Sequence, residues 1–291
     1  MKTIAKYLIA CGLSLALSLG ALGAARAQDA TLKDIEKTLG TVPSFFKAFP
    51  ADALDGAWDQ MKSLQLNPAT AIPGKYKELI GLAVAAQIPC RYCIYFHTEA
   101  AKLNGAADPE VKEALLMAAV TRQWSTVLNG LQIDEAQFRA EAAQILKYLG
   151  APHPKAAAAK VTDAAGAYKD MEAVLGLVPT FLRQFPEVAI AGAWREFKTV
   201  QLNPKSAIPG KYQQLMGLAV AAQIPCRYCV YFHTEAARLN GASDAEIREA
   251  VAMAGLTRHW STFMNGAQID EATFKREAAD VFARARKTAH R

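Results

Sequence analysis

The chain is one unit written twice. Set against itself at an offset of 136 residues, the segment 72–105 (IPGKYKELIGLAVAAQIPCRYCIYFHTEAAKLNG) and the segment 208–241 (IPGKYQQLMGLAVAAQIPCRYCVYFHTEAARLNG) differ at five of 34 positions. These are 77/213, 78/214, 80/216, 94/230 and 102/238. The match runs outward at the same offset: Trp58 pairs with Trp194, Trp124-Ser125-Thr126 with Trp260-Ser261-Thr262, and Ile133-Asp134-Glu135 with Ile269-Asp270-Glu271. Self-similarity at a fixed period dictates architecture before any local signal does. A Pro/Ala-rich stretch from Gly150 to Lys160 is the visible boundary. The reading is a first domain over 29–150, a linker over 151–162 and a second domain over 163–287.

Residues 1–27 read as an address. Lys2 and Lys6 precede an apolar stretch from Tyr7 to Leu22, and Ala25-Arg26-Ala27 is a small-residue cleavage site. Gly12, Ser14, Ser18 and Gly20 interrupt the apolar run, which favours a cleaved signal peptide over a membrane anchor, and the expected destination is a bacterial periplasm. No other uninterrupted apolar run reaches the ~18 residues of a membrane span. Removing the first 27 residues leaves 30 basic against 27 acidic residues. That balance is too mild, and too evenly spread, to argue for a nucleic-acid partner.

Each repeat reads as all helix. With 52% hydrophobic and 21% charged residues the chain can bury a core, yet it has no long alternating β-branched run. Asp108-Pro109-Glu110 is a helix start with Asp as cap and Pro in the first turn. Val111, Leu115, Ala118 and Ala119 follow with helical spacing, and Asp134 caps a further helix carrying Phe138, Ala142 and Ile145. Pro43, Pro50, Pro68, Pro73 and Pro89 divide the rest. The expectation is five or six helices per repeat.

The chemistry sits at Pro89. With Cys11 gone, four cysteines remain, as two C-x-x-C pairs, Cys90/Cys93 and Cys226/Cys229. So short a loop constrains the unfolded chain little, so redox chemistry or metal explains the pairs better than structure does. Pro89 is expected in the first turn of a helix, with Cys90 beside it where free N–H groups and the helix dipole favour a thiolate. Cys93 then lies one turn on, and His97 four residues further on the same face. Cys226, Cys229 and His233 repeat the arrangement. A thiol, a second thiol and a base on one face suit peroxide reduction through a sulfenic acid, with the second thiol resolving it. Zinc sites also use C-x-x-C, and Cys90, Cys93 and His97 with a carboxylate would make four ligands. Ile94 and Val230 stand where a c-type haem motif needs histidine.

The string Glu78-x11-Cys90-x2-Cys93-x3-His97 resembles the signature of the carboxymuconolactone decarboxylase superfamily, alkylhydroperoxidase D branch, and the resemblance covers both repeats. It implies an all-α fold of two tandem alkylhydroperoxidase-D-like domains and no metal or organic cofactor. It implies that Cys93 meets the peroxide, that Cys90 resolves it by forming the redox disulfide Cys90–Cys93, and that His97 and Glu78 form a proton relay. In the second repeat Cys229, Cys226 and His233 match, with a disulfide Cys226–Cys229, but the glutamate position is Gln214, which cannot take a proton. Some members carry a histidine between the cysteines, where this chain has Tyr92 and Tyr228. The name-giving decarboxylation belongs to members without the C-x-x-C pair. The family's trimers and hexamers imply that a fused pair is a built-in dimer and that three such chains could form a ring.

The resulting expectation is a thiol-dependent peroxidase acting on hydrogen peroxide or alkyl hydroperoxides, reduced by an external thiol donor. The alternatives are a periplasmic thiol-disulfide oxidoreductase and a Cys2His metal-binding module. Trp124 and Trp260 are expected to be core residues rather than pocket walls. Phe45, Phe46, Phe49, Phe181 and Phe185 are expected to pack helix faces, and His153, His259 and His290 to carry no chemistry.

Overall fold

A computed structural model describes residues 28–152 and 160–289. The expected signal peptide, most of the linker with His153, and His290 lie outside them. In chain order the helices are α1 (28–39), α2 (Ser44–Ala48), α3 (Ala51–Gln60, running into a π turn, Met61–Gln65), α4 (Gly74–Gln87), α5 (Arg91–Leu103), α6 (Asp108–Gly130) and α7 (Glu135–Gly150). The second repeat gives α8 (Ala164–Leu175), α9 (Thr180–Arg183), α10 (Glu187–Gln201), α11 (Gly210–Gln223), α12 (Arg227–Leu239), α13 (Asp244–Gly266) and α14 (Glu271–Ala289). The fold is all-α, with no strand among the described residues. Seven helices per repeat rather than five or six follow from the prolines. Helices α2, α3, α4, α9, α10 and α11 each begin directly after one, so even four or five residues between two prolines close a turn.

Local chemistry sets the other ends. Asp134, Asp163 and Asp270 accept the N–H three residues on, at 2.7, 2.8 and 2.7 Å, the N-cap geometry that stabilises a helix by about 1 kcal/mol. Asp108 is not the cap of α6 but its first residue. Ala107 stands at the cap, and the Glu110 carboxylate reaches back to accept its N–H at 2.9 Å.

The described residues form two compact units, one of residues up to Asn67 with those from Phe263 onward, the other Pro68–Thr262. Both draw on both sequence repeats. In the larger unit α4 and α11 lie at the centre, against each other. Helix α4 also packs on α5 and α6, and α11 on α12 and α6. Leu79, Ile80, Leu82, Ala83, Val84 and Ala85 are all fully buried, as a helix that is apolar all round requires. Tyr76 and Tyr212, equivalent residues of the two repeats, stack with ring centroids 3.6 Å apart. A residue that meets its own equivalent marks a two-fold-like axis.

The same contact set recurs in each unit: the early helices of one repeat bind one another and the last helix of the other repeat. In the larger unit Glu141 of α7 accepts the N–H and hydroxyl of Thr180 (2.9 and 2.5 Å), Phe138 packs on Phe181, and Asp170 binds Trp194 and Lys198. In the smaller unit Glu277 of α14 accepts the N–H and hydroxyl of Ser44 (2.8 and 2.9 Å), Phe274 packs on Phe45, and Asp34 binds Trp58 and Lys62. The repeats therefore exchange partners rather than fold side by side. The five phenylalanines named above pack helix faces as expected.

Candidate functional site

Helix α5 begins one residue later than its sequence suggests. Cys90 is extended (φ −83°, ψ 101°) and is the N-cap, its sulfur accepting the Cys93 N–H at 3.2 Å. Pro89 thus precedes the cap instead of filling the first turn. A cap side chain that accepts an orphan N–H gains most when it is negatively charged, so this shift strengthens the case for a thiolate at the first cysteine. Cys226 caps α12 identically, accepting the Cys229 N–H at 3.3 Å.

Cys90 and Cys93 are disulfide-bonded, with Cα atoms 5.3 Å apart. Cys226 and Cys229 are dithiol, their sulfurs 2.7 Å apart. The hydrogen bond between them polarises the pair. The hydrogen bond from Cys229 and those from the Ser125 hydroxyl, the Cys229 N–H and the Asn129 amide hold Cys226 down to about 6 in spite of burial. The Cys226 interaction, reinforced by burial, pushes Cys229 up. At rest the charge sits on the first sulfur and the proton on the second.

Each histidine is buried and held by the preceding central helix. The Glu78 Oε2 lies 2.7 Å from His97 Nδ1. A carboxylate can only accept, so Nδ1 carries the hydrogen and Nε2 the lone pair. In the second site Gln214 Oε1 lies 2.7 Å from His233 Nδ1, and the Gln214 amide nitrogen donates to Gln201 Oε1 at 3.4 Å, which aims the amide oxygen at the ring. With only a neutral amide beside it, burial pushes His233 down to about 3. The two sites therefore share a tautomer but not the charge that would stabilise an imidazolium.

Several partners escaped sequence reasoning. The Thr257 hydroxyl lies 3.4 Å from His97 Nε2, and the Thr121 hydroxyl 3.5 Å from His233 Nε2, each from the other repeat. A Cβ on Gly217 would sit 2.5 Å from the His233 ring, and one on Gly81 would strike His97 in the same way. These glycines make room for imidazole inside an otherwise solid apolar helix. A lone glycine in each copy of LIGLAVAA/LMGLAVAA was the available signal. Tyr228, at the position where some relatives place histidine, donates from its hydroxyl to the Ile133 carbonyl at 2.6 Å.

Beside the second site lies a cavity of about 60 Å³, room for a few water-sized groups. Trp124, Phe138, Phe181, Phe197 and Phe232 wall it, and Cys229 and His233 reach it while Cys226 does not. Cys226 is fully buried and Cys229 is 5% exposed. Trp124, expected in the core, is buried and is also a wall of this cavity. His259 is exposed on α13. Among the described residues no group of three or more His, Cys, Asp or Glu side chains is placed to hold a metal ion. No described helix is long and apolar enough to cross a membrane.

Comparison with curated proteins finds no match, and comparison with solved structures finds none. The pattern of one protein family matches twice, over residues 53–136 and 189–272, and each match takes in one cysteine pair with its histidine and the Glu78 or Gln214 position. By these two matches, which cover more than half its length, the chain belongs to the carboxymuconolactone decarboxylase family.

Proposed function

We propose that the protein is a thiol-dependent peroxidase of the alkylhydroperoxidase D type, exported to the periplasm and assembled as a homo-oligomer. The observation that carries the reading is the division of labour between the two sulfurs of one C-x-x-C pair. Cys229 opens with His233 on an apolar cavity, and Cys226 lies behind it as the stabilised thiolate.

The reduced pair holds one proton between two sulfurs. Its transfer from Cys229 to Cys226 leaves a thiolate facing the cavity. That thiolate attacks the outer oxygen of a hydroperoxide, the O–O bond breaks, and Cys229 becomes a sulfenic acid. The alkoxide takes a proton from Cys226 through the site and leaves as alcohol. The Cys226 thiolate then attacks the sulfenic sulfur. Hydroxide leaves, takes a proton from solvent to become water, and the disulfide closes. An external dithiol donor returns two electrons by exchange. Cys93, Cys90, His97 and Glu78 perform the same chemistry in the first site, except that His97, backed by Glu78, takes the Cys93 proton and then gives it to the alkoxide before the Cys90 thiolate closes the disulfide.

Peroxide consumption by pre-reduced protein tests the reading. Each chain should consume two equivalents of hydrogen peroxide and lose four thiols. No consumption with intact thiols would sink it. A second reading, thiol-disulfide exchange with proteins, is favoured by the cap position and low proton affinity of Cys226. Labelling of Cys90 and Cys226 rather than Cys93 and Cys229 by a sulfenate probe would favour that reading.

A further inference from the structure

Threonine inside a helix has a default use for its hydroxyl: it bonds back to the carbonyl four residues earlier. Thr126 and Thr262, at equivalent places in α6 and α13, do this, donating to the Arg122 and Arg258 carbonyls at 2.9 Å. Thr121 and Thr257, five residues earlier in the same helices, turn theirs elsewhere. They too are equivalent, 136 residues apart, and each is followed by arginine. Both are buried, 1% and 3% exposed. A buried hydroxyl costs free energy unless a partner takes it up, and valine has nearly the same shape without that cost. Among the described residues the Thr121 hydroxyl has one side-chain partner, His233 Nε2 at 3.5 Å, and the Thr257 hydroxyl has one, His97 Nε2 at 3.4 Å.

Both contacts cross between repeats. Helix α6 of the first repeat serves the histidine of α12, and α13 of the second serves the histidine of α5. Each imidazole is thereby met at both nitrogens, Nδ1 by Glu78 or Gln214 at 2.7 Å and Nε2 by the threonine. Phe96 and Phe232 stand edge-on to the rings, with centroids 5.6 and 5.4 Å away. The Nδ1 partner differs between the sites, whereas the Nε2 partner is the same. With the hydrogen on Nδ1, Nε2 is the nitrogen left to exchange a proton. A hydroxyl suits that atom in both of its states. It donates to the lone pair of the neutral ring, and after turning about its C–O bond it accepts from the protonated one. The length of the contact fits this use. At 3.4–3.5 Å it lies at the weak end of hydrogen bonding, so it does not hold the lone pair against an incoming thiol proton. Once Nε2 carries a proton the bond is charge-assisted, and such bonds are shorter and stronger.

Resting on the peroxidase reading of the site, we infer that Thr121 is a positioning residue of the second site and Thr257 of the first: each hydroxyl fixes Nε2 of the histidine in the opposite repeat while that nitrogen exchanges a proton, so each site draws one of its working groups from the other repeat. Thr121 also lines the cavity that Cys229 and His233 reach, which puts its hydroxyl on the side of the ring where a hydroperoxide would enter. A repeat on its own would keep its cysteine pair, its histidine and the Nδ1 partner, and would lack the group at Nε2.

The test uses two single-site proteins, each reduced and given hydrogen peroxide. Cys226→Ser/Cys229→Ser keeps the first site, and Cys90→Ser/Cys93→Ser keeps the second. In the first-site protein Thr257→Val should slow peroxide consumption about 10-fold or more, the usual worth of a hydrogen bond to a charged group, and far more than Thr121→Val does. In the second-site protein the order should reverse. Serine at either position keeps the hydroxyl and should restore most of the rate. Nitrogen-15 resonances of labelled histidine give a readout that needs no turnover. Thr121→Val should move Nε2 of His233 downfield, and Thr257→Val should do the same to Nε2 of His97. Where valine prevents folding, alanine at the same position is read instead. Losses that fall on the site of the threonine's own repeat, on both sites alike or on neither would overturn the inference. So would a serine variant no faster than the valine one, or Nε2 resonances that valine does not move. Absence of peroxide consumption by both parent proteins would remove the peroxidase reading, while the resonances would still decide whether the threonines hold the histidines.

Discussion

The first site and the second site are built from nearly the same residues and differ in what stands behind the histidine. In one, a buried carboxylate faces Nδ1, with a buried lysine on the same helix. In the other, an amide faces the same atom at the same 2.7 Å. Geometry is conserved and charge is not. The comparison separates two jobs that catalytic dyads usually confound, orienting an imidazole and stabilising its protonated form. Gln214 does the first only, and the pull of burial on His233 down to about 3 shows what is lost.

The largest expected effect tests this contrast directly. Near neutral pH the Cys226→Ser/Cys229→Ser protein should keep most peroxide turnover, and the Cys90→Ser/Cys93→Ser protein should fall about 10²-fold, the usual contribution of a well-placed general base. Equal initial rates from the two proteins would erase the distinction. Next in size is the glycine that admits the ring. Gly81→Ala in the first-site protein should cost ~10-fold or more in rate, because the displaced imidazole loses its alignment, and overpacking should cost roughly 1–3 kcal/mol of stability. Unchanged activity would mean that the ring has no fixed place.

A smaller effect sharpens the comparison of the two sulfurs. The Cys226 thiolate is present above its pKa of about 6 and lost below it, so peptide mapping should show Cys226 alkylation rising with a midpoint near pH 6, well ahead of Cys229. Linkage gives this a stability counterpart. Cys226 and His233 both bind protons less readily in the fold than in the unfolded chain, so their contribution to stability falls as pH descends from their unfolded toward their folded values, whereas Cys229, held up, contributes with the opposite sign and loses stability as pH rises past the ordinary thiol value. A thiolate titration of the pair with its midpoint at the ordinary thiol value would break the assignment. The smallest effect concerns the tyrosine tether. Tyr228→Phe removes one hydrogen bond to the Ile133 carbonyl. It should lower stability by about 1 kcal/mol and leave peroxide turnover nearly unchanged; a large loss of turnover would give that hydroxyl a role in the chemistry.

The all-α class, the duplication and the cysteine–histidine–glutamate string were legible because they are local in sequence or repeat at a fixed offset. What was not legible is what crosses between repeats. Thr121 and Thr257 sit 112 and 160 residues from the histidines they face, and nothing in a helix period announces such a neighbour. Trp124 looked like core by its type, and it is core, yet the cavity it walls becomes visible only when Phe181 and Phe197 arrive from the second repeat. Pro89 misled by one position, because it stands before the cap Cys90 and not in the first turn.

The exchange of helices between repeats has a consequence for synthesis. Ser44 must wait for Glu277, 233 residues later, which at about 5–20 residues per second is roughly 12–47 s of elongation. During that interval Phe45 lacks Phe274 of α14, and the apolar face it stands on waits for its cover. A neighbouring nascent chain offers an identical one. The interdigitation of the two repeats thus makes the local concentration of unfolded chains part of what decides whether two chains end as separate proteins or as an entangled pair.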